Sequence, residues 1–272
     1  MIISASRRTD IPACYADWLV NRLHAGYCMM KNPYNPAQVK RVSLLPEDVA
    51  GIVLWTKNAA PLLPKLAALE PYKHYFQYTI TPYYADIENG LADKKSVIAA
   101  FIELSRHTRV IWRYDPIIIT PKYTHEYHVR AFTKLCELLA GHTEKCIISF
   151  AIAYKSVAKN LAAVGHVGLP AEEKLRLAAD LRHIASEHGI TLCSCCEELG
   201  LQSISCIDAS LFNTIAPRDK HQRVGCNCAI SVDIGAYNSC MNGCLYCYAN
   251  HSLAKVCANF AGHNAQAELL ID

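Results

Sequence analysis

No apolar run in the 272 residues reaches the ~18 needed to cross a bilayer. The opening Met1-Ile2-Ile3-Ser4-Ala5-Ser6-Arg7-Arg8 lacks the long apolar segment and cleavage site of a secretory leader. Together these absences predict a cytoplasmic protein with no membrane partner. Charge of one sign is scarce as well. Lys and Arg number 27 against 24 Asp and Glu, a net +3, and there is no basic tail. Such a balance gives no support for nucleic acid as a partner, because phosphate binding needs a basic face or stripe. Nor is there an internal repeat or a linker, so the expectation is one domain over residues 1–272. Hydrophobic residues make up 52%, enough for a sizeable core, which excludes a disordered chain.

What the chain has in excess is cysteine. There are 14, and 10 of them follow residue 190, giving a cysteine-rich part over 193–272. In a reducing cytosol these are thiols or metal ligands rather than bridges. A disulfide scaffold would spread them along the chain, whereas metal sites cluster them. Near the C-terminus, Cys240, Cys244 and Cys247 have three and then two residues between them. One tight loop with that spacing can aim three thiolates at one inorganic centre. Thiolates bind zinc or iron–sulfur clusters above all. With three protein ligands, a 4Fe–4S cluster keeps one iron open to an exogenous molecule. With zinc, His251 would close a Cys3His site instead.

The stretch Cys240-Met241-Asn242-Gly243-Cys244-Leu245-Tyr246-Cys247-Tyr248-Ala249 carries a resemblance. Its Cys-x3-Cys-x2-Cys pattern, with aromatic Tyr246 just before the last cysteine, resembles the signature of the radical S-adenosylmethionine (radical SAM) superfamily. Asn-Gly before Cys244 and Tyr-Cys-Tyr around Cys247 are most similar to spore photoproduct lyase. Other stretches are Ser-Arg-Arg-Thr-Asp-Ile-Pro (6–12), Trp-Thr-Lys-Asn (55–58), Trp-Arg-Tyr-Asp-Pro-Ile (112–117), Cys-Ile-Asp (206–208) and Asp-Lys-His-Gln-Arg (219–223). Together they resemble a bacterial family of unassigned function with the cysteine motif at its C-terminal end. The resemblance implies a 4Fe–4S cluster on Cys240, Cys244 and Cys247, shielded by Tyr246. It implies SAM as second cofactor, cleaved reductively to a 5′-deoxyadenosyl radical that acts on an unidentified substrate. It also implies an electron donor such as flavodoxin or ferredoxin. Two alternatives are a non-catalytic zinc or iron–sulfur protein and a nucleic-acid repair lyase.

Hydrophobic periodicity supplies the fold. Strands are expected at 2–6, 51–56, 75–81, 109–114, 146–152, 190–193 and 229–233. Helices are expected from Thr9-Asp10-Ile11-Pro12 to Gly26, and over 59–69, 93–107, 124–140, 171–188 and 249–261, with 162–170 as loop. His125 and His128, three apart at a helix start, read as a solvated face. This alternation predicts an α/β protein with a parallel sheet. Six to seven units suggest a partial or closed TIM-like barrel. The resemblance places the cysteine loop after the first strand of the usual barrel. Here it follows the last, so a circular permutation is expected.

Sites in such folds lie at the C-terminal ends of strands. Alternation puts Ser4, Ser6 and Arg8 on one side, Arg113 and Asp115 on one side, and Thr56 with Asn58 opposite Lys57. Arg7 or Arg8 is expected to pair a cofactor carboxylate, Asp10 a ribose, with Asn58 in the same pocket. Arg113, Asp115 or Lys57 would serve the substrate. The plainer readings are an Arg113–Asp115 salt bridge and a helix cap at Asp10. Cys196, Cys206, Cys226 and Cys228 are the expected ligands of a second iron–sulfur cluster or a zinc, with Cys193 and Cys195 as competitors for Cys196. Cys136, Cys146 and Cys257 read as small hydrophobes.

Overall fold

Strand β1 (Ile2–Ala5) sits second from one edge of the main sheet, and the chain adds strands on both sides of it. The computed structural model describes residues 1–33 and 35–271. After β1 come α1 (Ile11–Cys14), α2 (Ala16–Ala25), β2 (Tyr27–Asn32), β3 (Asn35–Ser43), β4 (Gly51–Thr56) and a 3-10 turn at Leu63–Leu69. Then follow β5 (His74–Thr79), α3 (Lys94–Ser105), β6 (Val110–Ile117), α4 (His125–Leu139), β7 (Lys145–Phe150) and α5 (Ala158–Ala163). The chain continues with α6 (Ala171–Glu187), β8 (Thr191–Ser194), β9 (Gln202–Ser203), β10 (Val232–Asp233) and α7 (Leu253–Ala261).

The sheet has eight strands in the order β10-β1-β4-β5-β6-β7-β8-β9. Every neighbouring pair in it is parallel. This is the α/β sheet that the alternation predicts. All seven expected strands are present, and Gln202–Ser203 adds the eighth. The stretch 229–233 pairs only through Ile3↔Val232 and Ser4↔Asp233, so the last strand lies beside the first. No helix among the described residues is long and apolar enough to cross a membrane.

Alternation along the strands gives the sheet two unlike faces. One carries Ile3, Ile52, Leu54, Phe76, Tyr78, Trp112 and Ile148 into the main core beneath the helices. On it, Trp112 stacks on Phe132 of α4 at 5.0 Å and 15°. Such a pair contributes about 0.5–1.5 kcal/mol beyond its buried area. The other face is graded. Ile2, Val53, Tyr75, Ile111 and Ile147 form a second core with Ile207, Phe212 and Ala229, so the segment 204–229 covers that end of the sheet. Further along the same strands come Arg113, Asp115 and Ser149, which line a cavity at the strands' C-terminal ends.

Four expectations change. The helix from Asp10 to Gly26 is two helices, broken at Tyr15, whose φ of −140° is not helical. The tyrosine is drawn out of the helix because its hydroxyl donates to Ser239 O at 2.6 Å and its ring packs on Phe260 and His263. The β2–β3 hairpin is unforeseen, since two prolines interrupt its alternation. Helix α5 begins four residues before the expected loop. His128 is buried rather than solvated. It bonds Tyr114 Oη at 2.8 Å and Ile118 O at 3.1 Å, and burial holds its pKa down at about 4.

Candidate metal centre

The chain leaves β10 at Asp233 and enters the loop of Cys240, Cys244 and Cys247. Two Asn-Gly turns, Asn89-Gly90 and Asn242-Gly243, hold that loop by mating with each other. Gly90 N donates to Asn242 O at 3.1 Å and Leu245 N to Ile87 O at 2.9 Å. Gly243 has φ +61°, the left-handed region that suits glycine. An added Cβ would lie 1.8 Å from Asn89 Oδ1 at Gly243 and 2.1 Å from Met241 O at Gly90, so neither position has room for one. From the other side, Tyr248 Oη donates to Arg7 O at 2.8 Å and Asn250 Nδ2 to Cys240 O at 2.7 Å.

All three loop cysteines and Tyr246 line a cavity of about 1040 Å³. Beneath the loop lies a buried charge cluster centred on Glu88, which sequence reading missed. Glu88 Oε1 accepts from Lys57 Nζ at 2.8 Å and from Thr81 Oγ1 at 2.7 Å, and Oε2 accepts from Lys94 Nζ at 3.1 Å. Tyr246 Oη also donates to Glu88. Burial pushes the Glu88 carboxyl up, but Lys57 and Lys94 outweigh it and hold the pKa at about 2. The only sequence signal for Glu88 is its place in a turn-rich loop just past a strand's C-terminal end. Burial raises the Cys244 and Cys247 thiols, and the Lys57 ammonium pulls both the other way. Cys240 is raised by its hydrogen bond to Cys14 and by burial. Metal binding must displace these protons, and a bound cation supplies the compensating charge.

Most expected site residues gather here, each with protein partners of its own. Asp10 does cap α1, accepting from Ala13 N at 3.0 Å. Its other oxygen accepts from Lys57 N at 2.7 Å and Asn242 Nδ2 at 2.8 Å. Both oxygens of Asp10 are thus engaged in fastening α1, the end of β4 and the cysteine loop together, and Asp10 also lines the cavity. Burial raises its pKa, with these donors acting against it. Arg7 and Arg8 converge on Asp233. Arg7 N donates at 2.7 Å and Arg8 Nε at 3.1 Å, and Arg7 Nη2 reaches Ser231 Oγ at 3.1 Å. Lys57 is paired to Glu88. Asn58 accepts from Ala60 N at 3.1 Å in a turn, while Lys57 lines the cavity. Arg113 pairs with Asp115, which also accepts from Ser149 Oγ, and both line the cavity. The plainer salt-bridge reading of this pair is therefore present in the structure.

The second cysteine set also borders the cavity. Cys195, Cys196, Cys206, Cys226 and Cys228 all line it. Cys193 turns away, its thiol 3.8 Å from Thr191 O, so Cys195 and Cys196 are the neighbours of the other three. Among the described residues, no three His, Cys, Asp or Glu side chains are placed to hold a single metal ion. His251 stacks on Tyr237 at 5.7 Å and lines the same cavity as the three loop cysteines. The donor chemistry, three thiols lining one open cavity, fits a thiolate-held iron–sulfur group.

These features define an α/β protein whose parallel strands end in a cavity walled by two cysteine groups. The chain belongs to the family described as a domain of unknown function (DUF1848), whose model matches residues 2–249 and so covers both groups. No curated protein and no solved structure matches it.

Proposed function

We propose that this chain is a cytoplasmic radical SAM enzyme. The observation that supports it most is the common cavity. Three thiols at Cys-x3-Cys-x2-Cys spacing face a space of about 1040 Å³ at the ends of parallel strands. That volume is at the upper end for a ligand pocket, large enough for SAM and a substrate together. In this reading the sheet is the superfamily's partial barrel, circularly permuted, with Val232–Asp233 as its first strand. Cys240, Cys244 and Cys247 would hold a 4Fe–4S cluster, with SAM in the cavity beside it. Bound and reduced, such a cluster would supply one-electron chemistry for the reductive cleavage of SAM.

The chain's own residues position and shield. Glu88 fixes the Tyr246 ring against the loop, and Lys57 lies 5.5 Å from the centre of that ring. Asp10 sets the loop's distance from β4. Thr9 also lines the cavity, and its buried Oγ1 has no partner among the described residues, so it is available to a polar ligand. A flavodoxin or ferredoxin is the electron donor.

Anaerobic incubation with SAM and dithionite, followed by detection of 5′-deoxyadenosine, tests the proposal. Wild type should form it. Cys244→Ala should lose most of the loop's iron and all cleavage, since two thiolates do not replace three. A colourless wild type with stoichiometric zinc, or full cleavage by Cys244→Ala, overturns the reading.

A further inference from the structure

Five thiols and two guanidinium groups share another part of the cavity wall. Cys195 and Cys196 follow β8 directly. Consecutive side chains of an extended strand point to opposite faces, yet both thiols line the cavity with Sγ atoms 3.6 Å apart. Cys196 makes this possible at φ +62°, a region that few residues other than glycine adopt. Sparsely populated backbone of this kind persists where the surroundings over-determine it, and it clusters at functional sites.

Beyond that pair, Cys195 Sγ is 3.3 Å from Cys206 Sγ. The Cys228 thiol bonds Cys206 on one side and Cys226 on the other. Arg113 Nη1 donates to Cys206 Sγ at 2.8 Å and Arg223 Nη2 approaches Cys195 Sγ at 3.6 Å. Neutral buried thiols behave as small hydrophobes and have no need of cations. An anionic centre does, because a buried charge must be paired. A structural zinc takes four ligands in a closed tetrahedron. Here five thiols line an open cavity, more than such a tetrahedron takes.

We propose that Cys206, Cys226 and Cys228, with one thiol of the Cys195–Cys196 pair, hold an iron–sulfur cluster facing the same cavity as the 240–247 loop. Arg223 faces it as a cation, and Arg113, whose charge Asp115 already pairs, supplies a donor to Cys206. The assignment stands whether or not the loop itself binds a cluster.

Two full-length variants test it, each reconstituted anaerobically with iron and sulfide. The loop variant is Cys240→Ala/Cys244→Ala/Cys247→Ala and the wall variant is Cys206→Ala/Cys226→Ala/Cys228→Ala. Iron, acid-labile sulfide and the electron paramagnetic resonance signal after dithionite are measured, with size-exclusion elution as the check on folding. The loop variant should keep about four irons and four sulfides per chain, roughly half the wild-type content. The wall variant should lose this portion. Of Cys195→Ala and Cys196→Ala, one should lose it and the other should not. A folded loop variant without iron and sulfide overturns the inference, as does one that binds zinc with no sulfide. If the wall variant does not fold, the loop variant alone decides. Wild type and loop variant with equal iron would uphold this cluster and refute the loop's.

Discussion

At the scale of residues, the strongest local energetics belong to Glu88. One buried carboxylate serves two ammonium groups, a threonine and a tyrosine. Glu88→Gln would leave the buried Lys57 and the half-buried Lys94 without the carboxylate they share. We expect it to cost about 3–5 kcal/mol, read as a lower melting temperature. The pH dependence follows from the sign of the shift. The folded pKa, about 2, lies below the ordinary 4.5. The carboxylate's contribution is therefore complete above 4.5 and disappears as pH falls towards 2, amounting to about 3 kcal/mol at neutral pH. The gap in melting temperature between wild type and Glu88→Gln should narrow over that interval. A gap that stays constant down to pH 2 would show that the cluster is not ionised as described.

At the scale of elements, the decisive contact is the docking of loop 240–247 onto 87–90. Gly90 carries no left-handed strain, so Gly90→Ala acts through crowding alone: the new Cβ would meet the backbone oxygen of Met241. Because a backbone oxygen does not swing aside as a side chain does, the loop must shift. We expect Gly90→Ala to keep its far-ultraviolet circular dichroism, to lose much of the loop-bound iron, and to cleave SAM at least about ten-fold more slowly, or ~1.4 kcal/mol. Wild-type iron and cleavage in this variant would show that the loop does not depend on the docking. The cysteine spacing was legible in the sequence, because three donors within eight residues need only a local turn. The docking partner was not, because Asn89-Gly90 and Asn242-Gly243 are ordinary turn signals until the fold brings them together. His128 shows the same limit from another direction: its spacing from His125 suits a solvated helix face, and only the packing of α4 on Tyr114 buries it.

At the scale of the whole molecule, the two ends of the chain complete one another. β10 pairs with β1, Asp233 receives Arg7 and Arg8, and Ala265, Gln266 and Ala267 accept from Asn21, Arg22 and Trp18. A chain ending at Cys228 would leave β1 as an open sheet edge and Arg8 without its carboxylate. Exposed edges template association. We therefore expect that truncation to aggregate on expression, judged by size exclusion; a monodisperse folded product would show the C-terminal part to be dispensable for the fold. By itself the sequence determined the alternation of strands and helices, hence a parallel sheet, and the Cys240, Cys244 and Cys247 triad. Those are consequences of periodicity and short-range spacing. Tertiary structure alone decided that Asp10 fastens the loop, that Glu88 pairs with Lys57, and that Cys195 joins the wall while Cys193 leaves it. Each of these depends on which buried groups meet across the fold. Asp10 and Asn242 are 232 residues apart, and a buried carboxylate takes whatever donor arrives there.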